Sequence, residues 1–313
     1  MYDGAVPVVE AIGLTKRFPG VTALDDVSFA VEPGIIGLVG ANGAGKSTLI
    51  KVLLGLLEPT NGEAVVLGHQ VRREGVRVRA LVGYVPEHDC LPGDLPAVDF
   101  ITHLAEVSGL PRSAARERTA DVLRHVGLFE ERYRPLGQYS TGMKQRAKLA
   151  QALVHDPRLI FLDEPTNGLD PQGRDEMLQL IERTGREFGI SMIFASHLLG
   201  ELQRVCDYLL VLDGGRLVRA GPMASFVEAT GSMLVEVDGE AAAMVEALRA
   251  RGIAAERTGT ATLVARADDG ATLDAIRDLA AELELGLVRL EPLRGTLEDL
   301  FRPEPAAEVV GGS

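Results

Sequence analysis

The sequence predicts an α/β fold in which a mixed sheet carries an antiparallel β layer and a helical insert, followed by a small α+β domain. Three observations lead to this fold class. Short apolar runs alternate with glycine-rich turns and helical patterns, as in the βα units of a parallel sheet. A long stretch rich in Leu, Ala, Arg and Glu interrupts that alternation, and after residue 221 a new set of strands and helices begins.

The first 60 residues predict an antiparallel layer and then a strand, a loop and a helix. Residues 8–14 have the composition of one strand, and residues 27–31 alternate apolar and smaller side chains with the period of a second. The wholly apolar run 35–39 predicts a buried strand. A glycine-rich turn separates it from residues 47–57, whose apolar side chains fill one helical face.

The same strand, loop and helix order returns further along the chain. Residues 159–162 form a second apolar strand pattern, and Pro171 suits the first turn of a helix that extends to about residue 187. Residues 191–195 predict a third buried strand. Between the two βα units, residues 96–154 have helical spacing and almost no strand signals, so we expect a helical insert there.

Residues 222–302 predict a small accessory domain. Their order of elements is βαββαβ, which is compatible with a ferredoxin-like fold. The predicted strands and helices are at 233–237, 240–250, 253–257, 261–266, 272–283 and 287–291. The second helix has its buried face at Leu273, Ile276, Leu279 and Leu283. We therefore expect domains at 1–221 and 222–302, and a disordered tail at 303–313, where Pro, Ala and Gly predominate.

Composition and charge exclude several classes of protein. The 313 residues are 46% apolar and 25% charged, as in ordinary globular proteins, and the formal net charge is −13. Residues 222–313 contain eight Arg, no Lys and seventeen acidic residues. Because nucleic acid binding needs a basic surface, we expect no nucleic acid partner. Cys90 and Cys206 lie far apart and predict neither a disulfide framework nor a metal site, which favours a reducing compartment.

The sequence also bears on targeting. Residues 1–10 lack the basic and then apolar order of a signal peptide. No run of about 18 uncharged apolar residues occurs, since Lys46 and Lys51 interrupt the longest candidate, residues 35–57. We therefore expect a chain that does not cross a membrane by itself.

The segment 40–47, Gly-Ala-Asn-Gly-Ala-Gly-Lys-Ser, matches the phosphate-binding loop pattern between a predicted strand and a predicted helix. Glycines allow backbone N–H groups to surround phosphates, and the helix N-terminus adds its positive dipole end. Lys46 would reach the β and γ phosphates, and Ser47 would bind Mg²⁺. The alternative is a simple glycine-rich turn. The candidate nucleotide-binding residues here are Gly40, Asn42, Gly43, Gly45, Lys46, Ser47 and Thr48.

Two carboxylates follow the apolar strand at 159–162. Asp163 would lie at the carboxyl end of that strand, where α/β sheets bind ligands, and is the candidate metal-side acid. Glu164 suits a general base that polarises an attacking water. The alternative for this pair is a helix cap.

The segment 139–146, Tyr-Ser-Thr-Gly-Met-Lys-Gln-Arg, resembles the signature motif of ATP-binding cassette (ABC) proteins, a class of P-loop NTPases. It precedes a helical run, so Ser140 and the Gly142 amide would lie at a helix N-terminus, where an anion is stabilised. The resemblance implies an ABC cassette fold. It also implies that Ser140 and Gly142 bind the γ-phosphate of a nucleotide held by the opposite protomer.

Further residues occur in the order that the ABC family shows. Phe18 resembles the aromatic residue that stacks on adenine, Asp170 ends a segment that resembles the D-loop, and His197 resembles the switch histidine that contacts the γ-phosphate. Taken alone, each has a simpler interpretation, namely a core Phe, an ordinary turn and a surface or capping His. The remaining histidines match no motif and are expected to be structural or at the surface; they are His69, His88, His103, His125 and His155.

The resemblance covers about residues 7–221 and is most specific to ATPase subunits of ABC-2 type exporters. Glu87 stands where the wider family has a glutamine, and Thr141 stands where the signature usually has a second glycine. Residues 296–301 also resemble the end of that subfamily. An acid at position 87 could bind the metal more strongly than an amide, so Glu87 joins Ser47 and Asp163 as a candidate metal ligand.

The resemblance implies an ATP-binding subunit that uses ATP and Mg²⁺, with Lys46, Glu164 and His197 as catalytic residues. Its partners would be a second copy of itself or a related cassette, and a separate polytopic membrane permease at the cytoplasmic face of the membrane. The permease would export a drug, lipid or polysaccharide, and would contact the helical insert and residues 87–95. Alternatives are a soluble ABC ATPase of translation, repair or cofactor assembly, and a phosphate-loop kinase or GTPase. The small C-terminal domain could stabilise or regulate a dimer, or be a packing appendage.

Overall fold

The computed structural model describes residues 7–226, 229–266 and 270–294. The chain divides into two compact units, residues 1–223 and 224–313. The segment 296–301 and the predicted tail 303–313 lie outside the described residues. Within the ranges that are described, no helix combines the length and the apolar composition needed to span a bilayer.

The first unit contains both strands and helices. Its strands are β1 (Val9–Phe18), β2 (Val21–Val31), β3 (Ile35–Val39), β4 (Asn61–Val66), β5 (His69–Gln70), β6 (Val82–Val85), β7 (Leu159–Asp163), β8 (Ser191–Ser196), β9 (Tyr208–Asp213) and β10 (Arg216–Pro222). Its helices are α1 (Lys46–Leu53), α2 (Val71–Leu81), α3 (Ala97–Val107), α4 (Arg112–His125), α5 (Thr141–Leu153), α6 (Pro171–Phe188) and α7 (Leu199–Val205). The short helix α8 (Met223–Phe226) includes the boundary between the two units.

A six-stranded sheet forms the centre of the first unit, in the order β10-β9-β3-β8-β7-β6. Strands β9, β3, β8, β7 and β6 are parallel, and β10 pairs antiparallel with β9. Every residue of β3, β7 and β8 is buried, which explains their uninterrupted apolar runs. Because neighbouring parallel strands end at the same edge, the loops after β3, β6, β7 and β8 meet there.

A second sheet is antiparallel, in the order β2-β1-β4-β5. One hydrophobic core extends from this layer through α1 to the six-stranded sheet and includes Leu14, Leu24, Ile50, Leu53 and Phe161. Each of these side chains is 1% exposed or less. Burying a side chain of this size contributes about 1.5–3 kcal/mol relative to leaving it in water.

The end of α1 and the content of the helical insert can be compared with the sequence prediction. Helix α1 ends at Leu53, although the apolar pattern extends to Leu57. Gly55 has φ +65°, a left-handed conformation that commonly ends helices, so the later leucines are outside the helix. The predicted insert, residues 96–154, contains α3, α4 and α5 and a short 3-10 turn at Leu136–Gln138.

The second unit is a small α+β structure. Its elements are β11 (Ala229–Val237), α9 (Ala241–Ala250), β12 (Ala255–Arg257), β13 (Thr262–Arg266), α10 (Gly270–Glu282) and β14 (Leu287–Arg294). The strands form one sheet in the order β12-β13-β11-β14, and each neighbouring pair is antiparallel. Val235, Leu248, Leu263 and Ile276 are buried in its core. The ferredoxin-like assignment stays a prediction.

Candidate active site

The glycine-rich loop joins the carboxyl end of β3 to the N-terminus of α1. A Cβ atom at Gly40 would lie 2.4 Å from the carbonyl oxygen of Leu212, and one at Gly45 would lie 2.5 Å from that of Ala23. Gly45 also has φ +104°. Both positions therefore require glycine. No side chain caps α1, so its first-turn N–H groups and positive dipole end are available to an anion.

Lys46 is buried within the curve of this loop, with only 6% of the residue exposed. Its Nζ donates to the carbonyl oxygens of Gly40 at 2.7 Å and Ala41 at 3.4 Å. It also lies 3.4 Å from Oε1 of Glu164. A buried ammonium requires such partners. The loop thus holds a fixed positive charge beside the carboxylates that follow β7.

Ser47 and Asp163 form the next contact. Ser47 Oγ donates to Oδ1 of Asp163 at 3.2 Å. Burial raises the pKa of Asp163 above its ordinary value, the hydrogen bond from Ser47 opposes this, and the nearby carboxylates of Glu87 and Glu164 reinforce it. A hydroxyl beside a carboxylate fits Mg²⁺, which takes oxygen ligands. The described residues contain no cluster of three or more His, Cys, Asp or Glu that could hold a metal. Mg²⁺ usually keeps several water ligands and binds through one or two carboxylates together with substrate phosphates.

Glu164 and His197 are brought together because β7 and β8 are neighbouring parallel strands. Nδ1 of His197 lies 2.8 Å from Oε2 of Glu164. The Glu164 N–H donates to the carbonyl oxygen of Ala195 at 3.0 Å, which fixes its backbone on β8. Glu164 has φ +50°, a conformation that costs a non-glycine residue about 1–3 kcal/mol and is often found at functional sites.

These residues surround an open cavity of about 320 Å³. The predicted site residues that line it are Asn42, Gly43, Gly45, Lys46, Ser47, Thr48, Glu87 and Glu164. Gly40, Asp163 and His197 each form a hydrogen bond to one of those lining residues. The structure therefore brings eleven of the predicted residues to one place.

Glu87 follows β6 and is held by contacts that the sequence did not reveal. Its Oε1 accepts from Nδ2 of Asn167 at 3.4 Å. Nζ of Lys148, in α5, donates to the carbonyl oxygens of Pro86, Glu87 and His88 at 2.8, 3.1 and 3.4 Å. Burial lowers the pKa of Lys148. In the sequence, Lys148 is only a lysine between Ala147 and Leu149 in a helical pattern.

A second cavity, of about 740 Å³, lies at the N-termini of α5 and α6. It and the 320 Å³ cavity are called the two hollows below, and the 320 Å³ cavity is the first. Ser140, Gly142 and Asp170 line it. Ser140 Oγ accepts from the Met143 N–H at 3.3 Å, and Oδ1 of Asp170 accepts from the Gly173 N–H at 2.9 Å, so each residue caps its helix. The two hollows share no lining residue.

The helix-cap interpretation of the two carboxylates after β7 does not hold. The N-cap residue of the following helix, α6, is Asp170. Asp163 instead pairs with Ser47, and Glu164 contacts Lys46 and His197. Both carboxylates are therefore directed to the first hollow.

Phe18, at the end of β1, is 42% exposed, so it is not a core residue. It is absent from the lining of the 320 Å³ cavity, but it pairs across the strands with Val21, which lines it. Nζ of Lys16 lies 5.1 Å from the Phe18 ring centroid. Phe18 therefore lies one strand pair from the cavity, partly exposed and in contact with the Lys16 ammonium.

The other five histidines lie outside both hollows. His69 contacts Glu74, His125 contacts Thr184, and His155 contacts the Val82 carbonyl oxygen. His88 and His103 are exposed.

Comparisons with known proteins show which family this chain resembles. A family model described as ABC transporter matches residues 24–167. Nod factor export ATP-binding protein I of Ralstonia nicotianae is 34% identical over 239 residues, which cover 76% of this chain and 74% of that protein. Bacitracin transport ATP-binding protein BcrA of Bacillus licheniformis is 35% identical over 216 residues, 69% of this chain and 70% of that protein.

A solved structure shares the fold at somewhat lower identity. It is cbiO1 from Clostridium perfringens, part of the ABC transporter complex cbiONQ. The TM-score is 0.65 at 27% identity, and the match covers 70% of this chain and 90% of that one.

Proposed function

The chain belongs to the ABC transporter family as an ATP-binding subunit, and from this premise we propose that it hydrolyses Mg-ATP between two protomers to drive export through a separate membrane subunit. The observation that carries the proposal is the convergence of Lys46, Ser47, Asp163, Glu164 and His197 at the carboxyl ends of β3, β7 and β8. Such an edge is where α/β sheets bind ligands.

The phosphate loop binds and orients the triphosphate. The N–H groups in the first turn of α1 have no side-chain cap and can donate to an anion. Lys46 supplies a buried positive charge. Ser47 and Asp163 are the residues that would hold Mg²⁺, and Glu87 is a third candidate at the cavity wall. When bound, Mg²⁺ neutralises charge on the phosphate oxygens. The raised pKa of Asp163 fits this role, because a carboxylate that is costly to bury gains most from a cation.

Glu164 acts as the general base. Its carboxylate lines the cavity and accepts the proton of the attacking water, whose oxygen forms the new bond to the γ-phosphorus as the bond to ADP breaks. His197 Nδ1, 2.8 Å from Oε2, orients the carboxylate. Its side chain is 40% exposed, so the opposite ring edge is accessible to the γ-phosphate.

The two hollows support a dimer. One contains the phosphate loop and the other contains Ser140, Gly142 and Asp170, with no lining residue in common. A second copy of the chain, or a related cassette, would place its Ser140 and Gly142 against the γ-phosphate. Each closed site then takes residues from both protomers, and a single protomer has little activity.

The membrane partner is a separate polytopic permease, and the chain acts at the cytoplasmic face of the membrane. The names of relatives, Nod factor export and bacitracin transport, favour export of a drug, lipid or polysaccharide. Leu95, Val107 and Tyr133 are large apolar side chains exposed on the insert and the loop before it. They offer apolar contacts to such a partner.

A substitution of the base tests the proposed chemistry. Glu164→Gln keeps the size of the side chain and removes the proton acceptor. We expect ATP turnover to fall by about 10² or more, ATP affinity to change little, and a stable ATP-bound dimer to appear in light scattering. The control is Glu117→Gln, an exposed residue of α4, which should behave as wild type. Wild-type turnover in Glu164→Gln would contradict the assignment.

Purification from the native cell tests the transport role. The tagged full chain is extracted in mild detergent and its companions are identified by mass spectrometry. A stoichiometric polytopic membrane protein supports export. Ribosomes or DNA-repair proteins in place of a membrane protein would instead favour a soluble ABC ATPase.

A further inference from the structure

Glu201, four residues after His197, is a buried carboxylate with three partners. Its side chain, in α7, is 5% exposed. Oε2 accepts from Oγ1 of Thr166 at 2.7 Å and from Oγ of Ser196 at 2.9 Å. Nε of Arg174 lies 3.1 Å from Oε1 and forms an ion pair. One side chain therefore connects α7 to three other segments of the chain.

Each partner lies close in sequence to a proposed site residue. Thr166 follows Glu164 by two residues, and Ser196 immediately precedes His197. Thr166 is 2% exposed and Ser196 is fully buried, so neither hydroxyl can exchange Glu201 for water without local opening. The hydrogen bonds of Glu201 thus join the loop that carries Glu164 to the loop that carries His197.

The third partner, Arg174, connects Glu201 to the start of α6. The Arg174 N–H donates to the carbonyl oxygen of Asp170 at 2.9 Å, and the Asp170 side chain caps the same helix. The Arg174 side chain then reaches Glu201. The segment with the D-loop resemblance is thereby tied to the same carboxylate.

Ser196 connects Glu201 to the backbone on both sides of His197. Its hydroxyl donates to Glu201 and accepts from the Leu198 N–H at 3.0 Å. The Glu164 N–H is in turn bonded to the carbonyl oxygen of Ala195. The positions of the Glu164 and His197 backbones therefore both depend on the segment that Glu201 holds.

A carboxylate suits these three partners better than an amide does. It has two acceptor oxygens and no donor, so it can accept from two hydroxyls and face a guanidinium. A glutamine of the same size has one acceptor oxygen and an NH₂ group that would face either a hydroxyl or Arg174. We therefore expect the network to be disturbed even when Glu201 is replaced by glutamine, which has the same size.

We propose that Glu201 is a positioning residue for ATP hydrolysis that sets the 2.8 Å contact between Glu164 and His197. The inference rests on the proposed function, in which Glu164 is the base. Glu201 does not line the 320 Å³ cavity. It acts by holding the two loops at the distance at which His197 orients the base.

The test compares Glu201→Gln with wild type and with Glu117→Gln, in the full chain. We expect kcat to fall by about 10²-fold, as for a displacement of about 1 Å at a reacting group, while ATP affinity changes by less than about threefold. Glu117→Gln should retain wild-type kcat. If Glu201→Gln does not fold, Thr166→Val removes one of the two hydroxyl partners at constant shape, and the same split between kcat and affinity is expected. Wild-type kcat in the folded variants overturns the proposal.

A double-mutant cycle with His197→Ala separates positioning from general destabilisation. If Glu201 acts through the Glu164–His197 contact, adding Glu201→Gln to His197→Ala should lower the residual kcat by less than about threefold. A purely structural residue would lower kcat by the same factor in both backgrounds, and that result would overturn the proposal.

The proposed function can fail separately. If Glu164→Gln retains turnover, the assignment of the base is wrong. If Glu164→Gln loses turnover while Glu201→Gln does not, only the positioning role is wrong.

Discussion

Nζ of Lys46 lies 3.4 Å from Oε1 of Glu164, and both side chains are less than a tenth exposed. The proposed phosphate-binding cation and the proposed base thus form an ion pair. Removing one member of a buried pair costs about 3–5 kcal/mol, because the other charge is left unpaired. The pair links the stability of the site to its chemistry.

Lys46→Ala should weaken nucleotide binding itself. The variant loses a charge-assisted contact to phosphate, which contributes about 1.5–3 kcal/mol, so the Kd for ATP should rise about tenfold or more in titration calorimetry. The free energy of unfolding without nucleotide should also fall, since Glu164 loses its cation. Lys51→Ala, an exposed position in the same helix, is the matched control and should leave the Kd unchanged. An unaltered ATP affinity in Lys46→Ala would count against the role of Lys46.

Lys148→Met should release the loop that carries Glu87. The ammonium donates to three successive carbonyl oxygens, and methionine retains the length of the side chain without any donor. We expect the free energy of unfolding to fall by about 1–3 kcal/mol and amide hydrogen exchange to increase in residues 87–90.

The control for this variant is Lys144→Met, one turn earlier in α5. Lys144 forms an ion pair with Asp89 at 2.8 Å near the surface. Exposed pairs contribute less than about 1 kcal/mol, so stability should change little. Equal effects of the two substitutions would show that the three carbonyl contacts do not hold the loop.

His155 should make the protein sensitive to mild acid. Burial lowers the pKa of His155 below its usual value of about 6.5, and its contact with the Val82 carbonyl oxygen opposes the shift. The unfolded chain therefore takes up this proton at a higher pH than the folded chain does. The stability that neutral His155 contributes is present above about pH 6.5 and is lost as the pH falls towards the lower folded value.

The measurement is the free energy of unfolding of wild type and His155→Gln between pH 7.5 and about 5. Stability should fall more steeply with acid in wild type than in the variant. His103→Gln, at an exposed position of α3, should follow the wild-type curve. Parallel curves for wild type and His155→Gln would contradict the prediction.

The sequence was sufficient for those parts of the site that are local in the chain. The phosphate loop can be identified because Gly40, Gly45, Lys46 and Ser47 must occur at fixed spacing between one strand and one helix. Asp163 and Glu164 could be placed at a strand end for the same reason. The roles of these residues remain proposals, and so does the ferredoxin-like assignment of the second unit.

The sequence was insufficient where a role depends on a distant partner. Lys148 appeared only as a charged residue in a helix, yet it holds a loop about 60 residues away. Glu201 carried no motif at all, and its hydroxyl partner Thr166 is 35 residues earlier. Helical and strand periodicity report which face of an element is buried, but not which element packs on that face.

By itself, therefore, the sequence determined the fold class, the phosphate loop and the family, because periodicity and motif spacing are properties of neighbouring residues. The tertiary structure decided that Glu164 contacts both Lys46 and His197, and that the Ser140 hollow is separate from the phosphate loop. Those contacts follow from the strand order β3-β8-β7-β6, which brings the ends of distant segments to one edge of the sheet. Strand order is set by the packing of the whole unit, since parallel strands join through long crossovers whose destination no local pattern specifies.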